Sequence, residues 1–212
     1  MSRLRGLYSV TDDTLIDPEQ FSSTIKQILI GGAHIIQYRN KSNDTDLRLK
    51  QGIELRQLCN QHHAVFIIND DIELAREVKA DGVHLGQSDS SISAARARLG
   101  KQAVIGASCY NRFELAQQAQ NEGADYVAFG AFFSSAIKPH ACTADIELLV
   151  QAKQQLHIPV CAIGGITIYN AASLVNRGAD MIAVISGLLT NPDITAASEA
   201  LSALFKDHHP LK

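Results

Sequence analysis

Eight short apolar runs alternate with segments of helical spacing along this chain, at residues 7–10, 33–38, 64–68, 81–85, 103–107, 125–129, 160–163 and 181–185. Most of these runs are apolar on successive residues rather than on alternate ones. That pattern fits strands of a parallel sheet covered on both faces. The spacing predicts helices over 18–30, 47–60, 72–79, 92–99, 113–122, 146–156, 171–177 and 196–205. Glycines close several of them, at Gly31-Gly32, Gly100, Gly123 and Gly178, as helix ends favour. Eight βα units close naturally into a TIM barrel. The expected fold is therefore a single-domain (β/α)8 barrel over residues 1–212, with a polar tail from about 206. An open doubly wound sheet is the alternative, but the first strand is not followed by the Gly-x-Gly-x-x-Gly that such a sheet would use for a dinucleotide. No linker, low-complexity block or shorter repeat interrupts the chain.

The stretch 33–41 carries the most chemistry. Side chains on a strand alternate faces, so Ile35, Gln37, Arg39 and, if the strand runs that far, Lys41 share one face. An apolar residue low on that face, followed by an amide and two cations, fits a strand whose C-terminal end opens into a polar pocket. Two cations and an amide suit a ligand rich in phosphate oxygens.

With 19 basic and 22 acidic residues the formal charge is -3, and no run of Lys or Arg supports a nucleic-acid or membrane surface. No secretory signal pattern opens the chain, and no apolar segment is long enough to span a bilayer. Cys59, Cys109, Cys142 and Cys161 are scattered without a Cys-x-x-Cys pair, so they read as reduced thiols of a cytoplasmic protein. The partners expected are small molecules; oligomeric state stays open.

Active sites of TIM barrels gather at the C-terminal strand ends. The residues there are Thr11-Asp12; Gln37, Arg39 and Lys41; Asn69-Asp70; Gln87 and Asp89; Ser108; Lys138; Gly164-Gly165; and Ser186-Gly187. Asp70 and Asp89 follow neighbouring strands. They read either as a helix N-cap and a first-turn acid, or as ligands of Mg²⁺, which takes one or two carboxylates with waters and substrate phosphates. The cations Arg39, Lys41 and Lys138 beside them favour the metal. The glycine turns after strands seven and eight occupy the usual phosphate position of such barrels, or are ordinary strand-to-helix turns. Lys138 lies in the longest aperiodic stretch, 130–143, where barrel loops often close over substrate. His84 reads as a hydrogen-bonded core residue, and Cys109 has no visible base to make it a nucleophile.

Six segments together carry a family resemblance: Leu-Tyr-Ser-Val-Thr-Asp (7–12), Gln-Tyr-Arg-Asn-Lys (37–41), Ile-Asn-Asp (68–70), Gly-Val-His-Leu-Gly-Gln-Ser-Asp (82–89), Ala-Ile-Gly-Gly-Ile (162–166) and Ala-Val-Ile-Ser (183–186). In this order and spanning nearly the whole chain, they resemble the motifs of thiamine phosphate synthases. The resemblance implies a Mg²⁺-dependent transferase of thiamine biosynthesis. It would join 4-amino-2-methyl-5-hydroxymethylpyrimidine diphosphate to thiazole phosphate, or to its carboxylate with loss of carbon dioxide, and release pyrophosphate. It implies that Gln37, Arg39, Lys41, Asn69, Ser108 and Lys138 hold the pyrimidine diphosphate, with Lys138, Arg39 and Ser108 the catalytic residues. It further implies that Asp70 and Asp89 hold Mg²⁺, and that Ser135, Gly165, Ile185 and Ser186 hold the thiazole phosphate.

One departure stands out. The family pattern has Thr-x-Thr-Lys after strand six, where this chain reads Ser135-Ala136-Ile137-Lys138. Ser135 keeps one hydroxyl and Ile137 loses the other. The alternatives are a related thiazole tautomerase on the same barrel, and a non-catalytic barrel that senses a phosphorylated ligand. The joint presence of Gln37, Arg39, Lys41, Asp70 and Asp89 favours the transferase.

Overall fold

The computed structural model describes residues 4–134 and 144–206, and it is a closed barrel of eight parallel strands in sequence order. The strands are β1 (Gly6–Val10), β2 (Ile35–Tyr38), β3 (Val65–Asn69), β4 (Gly82–Leu85), β5 (Val104–Ser108), β6 (Tyr126–Phe129), β7 (Val160–Ile163) and β8 (Met181–Val184). The helices among the described residues are α1 (Phe21–Ile30), α2 (Thr45–Gln61), α3 (Ile72–Glu77), α4 (Ile92–Leu99), α5 (Phe113–Asn121), α6 (Glu147–Gln155), α7 (Ala171–Asn176), α8 (Ser186–Leu189) and α9 (Ile194–Ala203). β1 pairs with β8 through Tyr8 and Ala183, which closes the sheet. The alternation of strands and helices expected from the sequence is the one found. The tail expected from about 206 lies outside the described residues beyond Lys206.

Local chemistry accounts for where the helices start. The carboxylate of Asp44 accepts from the Leu47 N–H, so α2 begins at Thr45, two residues before the spacing predicts. Asp193 caps α9 in the same way through Ala196 N, again two residues early. The segment predicted as one helix over 18–30 divides, with a 3-10 turn over Pro18–Gln20 leading into α1. The sequence pattern did not anticipate α8, a single turn directly after β8. None of the described helices is long and apolar enough to cross a membrane.

Two apolar bodies hold the barrel. One lies between the strands and the helical ring and includes Leu7, Ile36, Phe66, Val83, Ile105, Val127, Ala162 and Ile182. The other fills the barrel interior with Tyr8, Val10, Ile35, Val65, Ile67, Tyr126, Ala128, Cys161, Met181 and Ala183. Every residue of β1, β2, β4, β6 and β8 is buried, which is why those segments read as apolar without alternation.

A repeated ionic staple ties the N-terminal end of the barrel. The Asp81 carboxylate accepts from the Phe66 N–H on β3 and from Arg56 on α2. Asp125 accepts from the Ile105 N–H on β5 and from Arg96 on α4. Asp180 accepts from the Val160 N–H on β7 and from Lys153 on α6. Each carboxylate satisfies a strand-end donor and a helix cation at once. The dipeptide Ala-Asp before β4, β6 and β8 is its sequence trace. This end is opposite the mouth, so it serves the frame and leaves the other end free for chemistry.

Candidate active site at the barrel mouth

Strand register sets which residues look inward. Ile35 pairs with Val65 and Gln37 with Ile67, so Gln37 continues the interior row above Ile35. Asn69 pairs with His84, His84 with Gly106, and Ser108 with Ala128, which puts Asn69, His84 and Ser108 on the same inner face. The lower interior is apolar and the upper interior is polar. The shared face expected for Ile35 and Gln37 is therefore present. β2 ends at Tyr38, so Arg39 and Lys41 are placed by the loop that follows it.

Arg39 is fixed from β1. Thr11 Oγ1 donates to the Arg39 carbonyl at 3.0 Å and accepts from its N–H at 2.8 Å. Arg39 Nη1 lies 2.8 Å from Asp12 Oδ2, with the Asp12 side chain only 5% exposed. The other Asp12 oxygen accepts from the Thr14 N–H and hydroxyl. A nearly buried carboxylate with all its partners in place holds the guanidinium in one orientation. Asp12 was legible only as a polar residue past the first strand, and its hold on Arg39 emerges from the fold.

The second cluster joins β2 to β3 and β4. Lys41 Nζ donates to Asp70 Oδ2 at 2.8 Å, and Asn69 Nδ2 donates to the same oxygen at 2.6 Å. The Asp70 N–H donates to the His84 carbonyl, and Asp70 takes a positive φ of 63°. Asp89 Oδ2 accepts from the Gly86 N–H at 2.7 Å. Asp70 and Asp89 are within hydrogen-bonding reach of each other. Burial works to raise the Asp70 carboxyl, but the bonds from Lys41 and Asp89 outweigh it and hold Asp70 low. Burial and then the Asp70 bond push Asp89 up. The helix-cap alternative for these acids does not hold. Asp71 caps α3 through Leu74 N, and Ser91 caps α4 through Ala94 N, leaving Asp70 and Asp89 for the mouth.

No group of three or more His, Cys, Asp or Glu suited to a metal occurs among the described residues. Two adjoining carboxylates fit Mg²⁺, which completes its octahedron with water and phosphate oxygens, better than they fit zinc.

Ser108 sits at the end of a buried polar chain. Gln37 Nε2 donates to Tyr8 Oη at 2.6 Å, and Tyr8 Oη lies 2.8 Å from Tyr126 Oη. His84 Nδ1 is 2.9 Å from Tyr126 Oη, and His84 Nε2 is 2.9 Å from Ser108 Oγ. The imidazole also stacks on the Tyr126 ring at 5.5 Å. Burial pushes His84 down to about 4, against the pull of the Asp70 charge, and the ring is neutral near pH 7. His84 is thus a hydrogen-bonded core residue as expected, but one in contact with the site. Tyr8 and Tyr126 lie in the strand runs 7–10 and 125–129, and the sequence alone assigns them no role. The signal that marks them is a phenol inside a barrel strand, whose hydroxyl has to find a partner. Burial pushes the Cys109 thiol up to about 12, which leaves it unsuited to nucleophilic work.

On the opposite side, Gly164 and Gly165 take φ of 105° and 62°, and the Gly165 backbone lies against the Phe133 and Ser134 carbonyls. Asn170 ties this loop, accepting from Thr167 N at 2.8 Å and donating to the Gly165 carbonyl at 3.0 Å. Ile185 and Ser186 open α8, where the first helical N–H groups have no intrahelical acceptor. Lys138, Ser135 and Ile137 lie outside the described residues.

Comparison with known proteins bears on the family and the fold. The family described as thiamine monophosphate synthase matches residues 7–188. A thiamine-phosphate synthase of Thioalkalivibrio sulfidiphilus is 50% identical over 96% of this chain and 97% of that protein. One of Chromobacterium violaceum is 52% identical over 96% of this chain and 97% of its own length. Among solved structures, the thiamine phosphate pyrophosphorylase of Pyrococcus furiosus superposes with a TM-score of 0.86 at 36% identity, covering 95% of each chain.

Proposed function

This chain belongs to the thiamine monophosphate synthase family, and on that premise we propose how its barrel mouth is divided between two substrates. The reaction is that of a thiamine-phosphate synthase. Pyrophosphate leaves 4-amino-2-methyl-5-hydroxymethylpyrimidine diphosphate, and the exocyclic carbon joins the nitrogen of thiazole phosphate. The single observation behind the division is the convergence of Arg39, Lys41, Asn69, Asp70 and Asp89 at the ends of three consecutive strands.

In this reading Arg39 and Lys41, with Asn69 and Lys138, bind the diphosphate, while Gln37 and Ser108 hold the pyrimidine ring. Asp12 keeps the Arg39 guanidinium turned toward the mouth before substrate arrives, so little reorganisation is needed as charge builds on the leaving group. The electron-rich aminopyrimidine carries the positive charge left on its carbon. Asp70 and Asp89 are the residues to hold Mg²⁺, which supplies charge neutralisation at the diphosphate. Ser135, Gly165, Ile185 and Ser186 receive the thiazole phosphate on the far side. The attacking atom belongs to the thiazole, so no protein nucleophile is required. Ser108 fits this, since its histidine neighbour is backed by a phenol instead of a carboxylate. The free, buried thiols of Cys59, Cys109 and Cys161 are in keeping with a cytoplasmic enzyme.

The test is release of pyrophosphate with both substrates, with either one omitted, and with Mg²⁺ removed by a chelator. Release that needs both substrates and the metal supports the reading. Release without metal, or ligand binding without turnover, rejects it.

A further inference from the structure

Five side chains from five strands meet inside the barrel in one unbranched hydrogen-bonded line that starts at Gln37 and ends at Ser108. The line is Gln37 Nε2 to Tyr8 Oη, Tyr8 Oη to Tyr126 Oη, Tyr126 Oη to His84 Nδ1, and His84 Nε2 to Ser108 Oγ, with separations between 2.6 and 2.9 Å. Tyr8 and Tyr126 are at most 1% exposed and His84 is 9% exposed, so water does not readily substitute for a missing partner. The backbone makes room for the line. A Cβ on Gly106 would lie 2.1 Å from Tyr126 Cζ and 2.4 Å from its hydroxyl, so only glycine on β5 admits that phenol.

The line has a sense. Each phenol has one proton to give, and an imidazole whose Nδ1 accepts a hydrogen bond carries its N–H on Nε2. Gln37 donates from Nε2, so Tyr8 accepts at that end and gives its own proton to Tyr126. Tyr126 then gives its proton to His84 Nδ1. That leaves the histidine proton on Nε2, where it is donated to Ser108 Oγ. In the reverse sense the Tyr8 proton would meet the Gln37 amide donor and have no acceptor along the line, a buried loss that structures avoid.

We propose that Tyr8, Tyr126 and His84 are positioning residues whose one-way hydrogen-bond line makes Ser108 a fixed donor into the mouth and leaves the Gln37 side-chain oxygen, Oε1, free as an acceptor. Ser108 accepts from His84, so its own proton points to the ligand. Gln37 spends an N–H on Tyr8, so its Oε1 faces the ligand. A donor on β5 and an acceptor on β2 complement a ring nitrogen and an exocyclic amine, the pattern of an aminopyrimidine. The mouth then discriminates against an oxo ring bearing N–H, whose pattern is reversed and would leave the site's polar groups mismatched. This rests on the assignment of Gln37 and Ser108 to the pyrimidine side.

The first test reads the line directly. In the ligand-free, full-length protein, the side-chain ¹H–¹⁵N spectrum of His84 shows the tautomer protonated at Nε2. A proton on Nδ1 overturns the proposal. The second test uses Tyr8→Phe, which keeps the ring and removes one link. Calorimetry is expected to show about tenfold weaker binding of the pyrimidine diphosphate, with inorganic pyrophosphate and thiazole phosphate bound as before. Unchanged pyrimidine affinity overturns the proposal, and equal losses for all three ligands indicate a merely structural role and also overturn it. If Tyr8→Phe does not fold, His84→Gln and His84→Leu replace it. Glutamine can still donate to Ser108 and retains pyrimidine affinity, whereas leucine loses it; equal behaviour of the two overturns the proposal. Ser108→Ala separates the premise from the line. If that variant binds the pyrimidine diphosphate normally, the assignment of Ser108 fails, while the His84 tautomer still reports on the line itself.

Discussion

Lys41 Nζ lies 2.8 Å from Asp70 Oδ2, so the ammonium assigned to diphosphate and a carboxylate assigned to metal neutralise each other across two neighbouring strand ends. The Lys41 side chain is 56% exposed, and such pairs contribute little, about 0–1 kcal/mol. The pair can therefore open at small cost when phosphate takes the lysine and a cation takes the aspartate. It keeps both charges in place at the mouth in the meantime.

A first prediction follows from that exchange. Lys41→Met removes the cation that competes for Asp70, so the free protein is expected to bind Mg²⁺ more tightly. The same variant binds the pyrimidine diphosphate more weakly, by roughly 1.5–3 kcal/mol for a lost charged contact. Calorimetry with Mg²⁺ alone, and then with the diphosphate, checks the opposite signs. Weaker binding of both would contradict the exchange.

Asp89→Asn is expected to raise the Mg²⁺ concentration needed for half-maximal turnover and to lower turnover at limiting metal. The amide keeps an oxygen for the Gly86 N–H, so the turn after β4 survives and the melting temperature changes little. Initial rates across a Mg²⁺ series decide this, and an unaltered series rejects Asp89 as a ligand.

Asp12→Asn tests orientation rather than contact. The guanidinium stays but loses the charged partner that fixes it. The expected result is a raised KM for the pyrimidine diphosphate and a lowered kcat, with the thiazole phosphate KM unchanged. Arg39→Ala should show the same pattern more strongly, and a double variant no worse than Arg39→Ala would show that Asp12 acts through Arg39.

The staples at the opposite end predict the converse. Asp180→Ala leaves the Val160 N–H and Lys153 without their acceptor and should cost about 1.5–3 kcal/mol of stability. Activity per folded molecule stays as before, because Asp180 is at the far end of the barrel from the mouth. Denaturant unfolding beside steady-state kinetics measures both.

Ile137 marks the chain's departure from its family pattern. Ile137→Thr restores a hydroxyl in a similar β-branched shape and is expected to lower the KM for thiazole phosphate while leaving the pyrimidine KM alone. If Ser134 and Ser135 already supply both hydroxyls, Ser134→Ala raises the thiazole KM and Ile137→Thr changes nothing. Steady-state kinetics of the two variants under one set of conditions separates these outcomes.

The sequence by itself determined the eight βα units, because a strand buried on both faces leaves an uninterrupted apolar run and a helix leaves a 3.6-residue period. It also determined which residues end the strands, and so the membership of the mouth: Gln37, Arg39, Lys41, Asn69, Asp70, Asp89 and Ser108 all follow or close an apolar run. Helix starts were less legible, since Asp44 and Asp193 act as caps two residues ahead of the first periodic apolar position. Only the tertiary structure decided the pairings. Asp12 holds Arg39 across a span of 27 residues, and Tyr8 meets Tyr126 across 118. Hydrogen bonds of that kind depend on barrel closure and register, which bring β1 against β2 and β8 and turn alternate side chains inward. A phenol in an apolar run has the same local pattern whether its hydroxyl is buried in a polar line or reaches solvent, so the line from Gln37 to Ser108 becomes visible only when the barrel is closed.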